Sequence, residues 1–276
     1  MEEKKREEKT RDEKCMEKNQ LFQIVIFVAC SFTSLIFGYN TRLLFTTIMA
    51  AMVPVTTNMS PTLAKSRTPP VKLGLVFNSQ STKFHPNAVE LEVFIDFACP
   101  FSKRIYDRLT TLVVPHYEQA SPCKLKVVFQ QVPQPWHPQS TLLHEAALAA
   151  WIIGGTSEVY QKAYRAILDA REQFVDAETY DKTRTQIYQE LAKVVCPACG
   201  LDESKFLDVL KLDTSNGQRN SGNGTTQALK WYAKMHRQRT VHVTPTCAIN
   251  GILLDTSSSW GLEDWNKLLD PVVDLL

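Results

Sequence analysis

The spacing of apolar positions changes several times along the chain, and each change predicts a different element. Leu91-Glu-Val-Phe-Ile-Asp-Phe97 is an apolar, β-branched and aromatic run of strand length. From Pro100 the apolar residues recur at helical intervals, which predicts a helix to about Tyr117. A shorter run, Val71 to Phe77, predicts an earlier strand, with Val89 to Phe97 as the second and Lys124 to Val132 as the third. The second strand, the helix and the third strand make a βαβ unit, in which the two strands lie parallel. Past a proline-rich loop, Thr141 to Ile153, Ser157 to Phe174, Glu178 to Val195, Asp202 to Lys211 and Thr225 to Arg239 repeat their apolar residues every three or four positions. That predicts a helical block over about 139–240. Strand character returns at Val241 to Ile249 and Ile252 to Leu254, around the hairpin signal Asn250-Gly251. An amphipathic stretch from Leu262 to Leu276, interrupted by Pro271, ends the sequence. The prediction is an α/β domain over 71–276, ordered βαβ, helical insertion, β-hairpin, C-terminal helix.

The first seventy residues follow another pattern. Positions 1–20 mix seven Lys and Arg with seven Asp and Glu and offer no apolar face, so they read as a solvated, disordered tail. Leu21 to Tyr39 then runs nineteen residues without a charge, about the length that spans a hydrocarbon core of roughly 30 Å. A second apolar stretch follows from Leu43 to Val55. Segment 21–55 is therefore expected to be an N-terminal apolar helix acting as a signal anchor, a cleaved signal or a membrane hairpin. The cationic leader would keep the N-terminus cytosolic and place the rest of the chain on the lumenal or extracellular side, anchored to the membrane. Residues 56–70, rich in Thr, Pro and Ser, read as a linker.

A net charge of +2 over 276 residues gives no broad basic face, and no basic residues interleave with aromatics, so nucleic acid is not an expected partner. Seven cysteines leave five beyond residue 70: Cys99, Cys123, Cys196, Cys199 and Cys247. Five is odd, so at least one is a free thiol or pairs with another molecule. Two glycosylation acceptors, Asn58-Met-Ser60 and Asn223-Gly-Thr225, would matter on the lumenal side.

Cys99 carries the candidate chemistry. It ends the second strand and precedes Pro100 at the start of a helix, where unpaired backbone N–H groups and the positive end of the helix dipole favour thiolate over thiol. The window Cys99-Pro100-Phe101-Ser102 has no second cysteine, so redox chemistry here must be monothiol or borrow a sulfur from elsewhere. The bland alternative is a small buried hydrophobe. Ser102 suits either a hydroxyl satisfying backbone donors in the first helical turn or a chemical role. Cys196-Pro-Ala-Cys199 follows a helix predicted to end near Val195, which fits a local disulfide or two idle thiols. Zinc would need two more ligands, and none is spaced for it, so no metal is expected. Trp136 and His137 lie in the loop Gln134-Pro-Trp-His-Pro138, which either lines a substrate surface or forms a stiff corner around a buried Trp.

Asp96-Phe-Ala-Cys-Pro-Phe-Ser102 after a strand, Thr244-Pro245 just before the strand Thr246 to Ile249, and the order of elements together resemble the DsbA-like branch of the thioredoxin superfamily. That branch carries an all-helical insertion and includes the kappa-class glutathione transferases. The resemblance covers about Val71 to Leu276. It implies that Cys99 is the attacking cysteine, that Pro245 is a substrate-facing cis-proline, and that Pro100, Phe101, Thr244 and Trp136 meet the substrate. Ser102 stands where a resolving cysteine would be. The implied activity is thiol-disulfide exchange by one thiol on protein or small-molecule thiols and disulfides. No cofactor would be bound, and glutathione would serve as co-substrate. Two alternatives remain: a non-enzymatic binding module of the same fold, and a kappa-like transferase using Ser102 to activate glutathione.

Overall fold

The computed structural model describes residues 69, 72–77, 84–214, 217 and 219–276. The charged tail, the apolar segment 21–55 and, Pro69 apart, the linker lie outside the described residues. Among the described residues no helix is long and apolar enough to cross a membrane.

Five strands form one sheet in the order β1-β3-β2-β4-β5: β1 (Leu75–Phe77), β2 (Val89–Ile95), β3 (Leu125–Gln131), β4 (Thr246–Ile249) and β5 (Ile252–Leu254). β2 and β3 are parallel, with Val93 opposite Phe129, as the βαβ pattern predicts. β4 runs antiparallel to β2 and pairs Cys247 with Val93, while β5 closes the hairpin at Asn250-Gly251, both in the left-handed region. β1 is antiparallel to β3 and shorter than the predicted strand.

The period of two in β2 explains its central place. Leu91, Val93 and Ile95 point into the main core with Val127 and Phe129, while Phe94 points to the other face, where Val132, Val241 and Ala248 cover it. Burial on both faces accounts for the nearly unbroken apolar run.

The connection from β2 to β3 is one helical path: α1 (Pro100–Arg108), a π turn at Leu109–Val113, and α2 (Val114–Ala120). Pro115 has no N–H to give to Thr111, which accounts for the wide turn just before it. The insertion contains α3 (Ser140–Gly154), α4 (Ser157–Asp169), a 3₁₀ turn at Arg171–Phe174, α5 (Asp176–Thr179), α6 (Arg184–Cys199), α7 (Glu203–Leu210) and α8 (Thr226–Gln238), and α9 (Leu262–Val273) ends the fold. The single helix predicted over 178–195 is divided in the structure. A new start is made at Thr183, whose hydroxyl accepts from the Gln186 backbone N–H while Gln186 Oε1 accepts from the Thr183 N–H, a reciprocal cap. Thr183→Ala is expected to cost about 1 kcal/mol in a denaturant titration with unchanged slope. Asn223 is buried: its side chain donates to the Tyr188 hydroxyl and accepts from the Thr225 N–H. A glycan on that nitrogen would displace the bond to Tyr188 at a buried position, so that predicted acceptor is withdrawn. Asn58 lies outside the described residues.

Candidate active site

The sheet and α1 meet at Asp96-Phe-Ala-Cys99. Asp96 ends β2 and folds the chain back on itself: its carbonyl accepts the Cys99 N–H at 3.1 Å and its Oδ1 accepts the Ala98 N–H at 3.0 Å. Cys99 is thereby the N-cap of α1, extended at φ −77°, ψ 123°, with Pro100 at the first helical position. No side chain caps the helix and its first turn holds no acid, so the amides behind Cys99 keep their positive character.

The Cys99 side chain is 5% exposed, and its Sγ lies 3.4 Å from the Thr244 carbonyl oxygen, 145 residues away in sequence. Thr244-Pro245 is a cis peptide bond. The structure therefore brings together the two motifs singled out in the sequence. Phe101, Val243 and Trp136 are each about half exposed, at 52%, 50% and 56%. Phe101 follows Pro100 and carries the Arg104 guanidinium over its ring at 5.5 Å. Val243 immediately precedes the cis bond, and its carbonyl accepts from the Thr246 hydroxyl at 2.8 Å. The exposure of Trp136 corrects the reading of its loop as a corner around a buried Trp. Phe101 and Val243 adjoin the two motifs in sequence, and Trp136 precedes His137, whose ring contacts Asp96, so these side chains give the site an apolar rim.

Ser102 is fully buried, and its hydroxyl oxygen accepts the Asp96 N–H at 3.2 Å. It ties the first turn of α1 to the residue that follows β2. The structure places it among backbone donors, the first of its two predicted roles.

Beneath Cys99 lies a polar cluster that sequence spacing did not reveal. The Asp96 carboxylate, with no exposure at all, accepts from the Ser140 hydroxyl and sits 2.7 Å from His137 Nδ1. An ionised carboxylate only accepts, so His137 carries its proton on Nδ1 toward Asp96. His144 Nε2 is 3.5 Å from Asp96 Oδ1 but makes no hydrogen bond, and neither ring nitrogen has a hydrogen-bond partner. Burial pushes the Asp96 carboxyl up, and the contacts from His144, Ser140 and His137 outweigh it, holding it below the ordinary aspartate range. Burial likewise pushes His144 down, against the pull of Asp96, which leaves it neutral near pH 7. The one hint in the sequence is an acid set between Ile95 and Phe97 in an apolar run. Arg171, also missed, donates from Nη1 to the Ala98 carbonyl at 3.1 Å.

The other sulfurs lie elsewhere. Cys247 is fully buried on β4, and burial pushes its thiol up to about 12. Cys196 and Cys199 occupy the last turn of α6, which continues through Pro197 and stops at Gly200 in the left-handed conformation. Both are free thiols, so the disulfide alternative is not what the structure holds, and burial pushes them up to about 12 and about 11. No group of three His, Cys, Asp or Glu is arranged to hold a metal among the described residues.

Among solved structures, a protein described as a protein-disulfide isomerase from Pseudomonas syringae superposes with a TM-score of 0.52 at 24% identity, over 67% of this chain and 94% of its own. The chain has a thioredoxin-like α/β fold with a helical insertion. Oxidised BdbD from Bacillus subtilis aligns at 15% identity and TM-score 0.49, over 73% of this chain and 93% of its own. The thiol-disulfide exchange protein α-DsbA2 from Wolbachia pipientis aligns at 20% and 0.47, over 69% and 85%. No protein-family model matches the sequence, and no curated protein does either. In this fold Cys99 occupies the strand-to-helix junction, and the Thr244 carbonyl of the cis bond lies beside its sulfur.

Proposed function

We propose that the chain is a monothiol thiol-disulfide oxidoreductase that turns over with an external thiol such as glutathione. One observation carries the reading: the Cys99 sulfur lies against the carbonyl of the cis Thr244-Pro245 bond, at the uncapped start of a helix. In the first step the Cys99 thiolate attacks the glutathionyl sulfur of a protein–glutathione disulfide. A Cys99–glutathione disulfide forms and the protein leaves as thiolate. In the second, a glutathione thiolate attacks the glutathionyl sulfur on Cys99. Glutathione disulfide leaves, and Cys99 is a thiolate again. Each cycle consumes one free glutathione, whose sulfur is oxidised to the disulfide level as the substrate protein's sulfur is released as thiolate. The apolar rim of Phe101, Trp136 and Val243 suits an extended polypeptide beside the Pro245 loop.

The kappa-like transferase reading requires Ser102 to reach glutathione, and its burial against the Asp96 amide argues against it. The test is intact-mass spectrometry of the full chain after incubation with glutathione disulfide. One glutathione on Cys99, released by free glutathione and absent from Cys99→Ser, is the expected result. Attachment only at other cysteines, or none, overturns the proposal.

A further inference from the structure

The 3₁₀ turn Arg171–Phe174 brings a cation from the helical insertion to the backbone of the candidate site. Arg171 Nη1 donates to the carbonyl of Ala98, the residue bonded to Cys99, at 3.1 Å. Covalent geometry then puts the Cys99 sulfur within about 9 Å of that nitrogen. The guanidinium is fixed and largely dry: its side chain is 12% exposed, and the buried Nε has no hydrogen-bond partner. Only Nη2 turns outward, where it pairs with Glu172, whose side chain is 76% exposed. A pair with so exposed a carboxylate contributes little and yields readily to another anion. α1 adds the same sign of field, since its first turn holds no acid and its amides point toward the Cys99 end.

We infer that Arg171 is a specificity-determining residue that binds the carboxylate of a small thiol or disulfide as it reacts with Cys99. Glutathione-type compounds fit, because their sulfur and C-terminal carboxylate are one residue apart, a span of roughly 7 Å in an extended chain. A planar guanidinium held at one edge by Ala98 offers its outer edge to such a group in place of Glu172. The reaction selected is attack of the Cys99 thiolate on a symmetrical disulfide, giving the Cys99 mixed disulfide and one free thiolate.

This inference rests on the exchange reading of Cys99, and its test separates the two. The rate of adduct formation at Cys99 is measured with three disulfides: glutathione disulfide, which is anionic, hydroxyethyl disulfide, which is neutral, and cystamine, which is cationic. Arg171→Gln is expected to lower the ratio of the glutathione disulfide rate to the hydroxyethyl disulfide rate about tenfold. Glu172→Gln, at an exposed position that does not threaten folding, is expected to raise the glutathione disulfide rate about threefold relative to hydroxyethyl disulfide and to slow cystamine. If neither variant changes the ratio of anionic to neutral rates, the Arg171 role is wrong while exchange at Cys99 stands. Should Arg171→Gln fail to fold, the ratio measured with Glu172→Gln decides. A wild-type protein that reacts with none of the three overturns the exchange reading itself.

Discussion

Replacing Ser102 by cysteine is expected to release the Cys99–glutathione adduct without any added thiol, about a hundredfold or more faster than the wild-type protein does. Positions 99 and 102 are three apart at the start of α1, where helical geometry sets their Cα atoms about 5 Å apart, inside the window for a disulfide. A thiol at 102 would therefore attack Cys99 internally, expel glutathione and leave a disulfide between Cys99 and the introduced sulfur. The hydroxyl in the natural protein cannot do this, because it ionises far less readily than a thiol. Sulfur is larger than oxygen and a weaker acceptor for the Asp96 N–H, so the variant should lose about 1 kcal/mol of stability. Glutathione release followed by mass spectrometry in thiol-free buffer reads the effect directly. Ser102→Cys with Cys99→Ser should show no adduct at all. If the double variant still carries glutathione, position 102 is reacting on its own and the assignment of Cys99 as attacking sulfur is wrong.

The site was legible in the sequence wherever one short segment determined it. Cys99-Pro100 at a strand-to-helix junction needs only the period change and a proline at the first helical position, and the structure places both there. Asn250-Gly251 turns the hairpin because both residues take positive φ, which the dipeptide itself announces. What escaped depends on contacts between distant segments. Arg171 reaches Ala98 across 73 residues, and no local pattern distinguishes it from a solvated arginine at a helix end. The antiparallel course of β1 is fixed by its pairing with β3, not by its three residues. Cys196-Pro-Ala-Cys199 was expected to follow a helix ending near Val195, whereas α6 runs on through Cys199. Pro197 forfeits one backbone bond in the last turn, yet the helix continues because Cys196 and Cys199 bury their sulfurs and Gly200 closes it.

The same logic makes Asp96 the most demanding polar position in the domain, and Asp96→Asn is expected to cost about 3 kcal/mol at neutral pH. The carboxylate collects three donors, the Ala98 amide, the Ser140 hydroxyl and His137 Nδ1–H, in a place with no solvent. An asparagine of the same shape keeps one acceptor oxygen and turns an NH₂ toward groups that also donate, so at least one buried donor loses its partner. The pH dependence follows from the sign of the shifts. Asp96 is held below its ordinary value of 3.8 in the folded protein, so its contribution is complete above that pH and is lost as pH falls further, through the folded value. His144 is also held below its ordinary 6.5, so the unfolded chain takes up its proton first and wild-type stability declines as pH falls below 6.5. Without the Asp96 charge His144 is held lower still, so the histidine loss is shared only while pH stays above the wild-type folded value of His144, and the carboxylate contribution is lost only in the wild type. Denaturant titrations should thus show a constant gap between Asp96→Asn and wild type down to about pH 5 and a narrowing gap below pH 4. Because the same carboxylate fixes the turn that presents Cys99, the variant should also react more slowly with glutathione disulfide at pH 7, where it is still folded. A gap that stays constant to pH 2 would mean that Asp96 is not ionised in the native protein, and the direction of one of the hydrogen bonds assigned to His137 and Ser140 would have to be reversed.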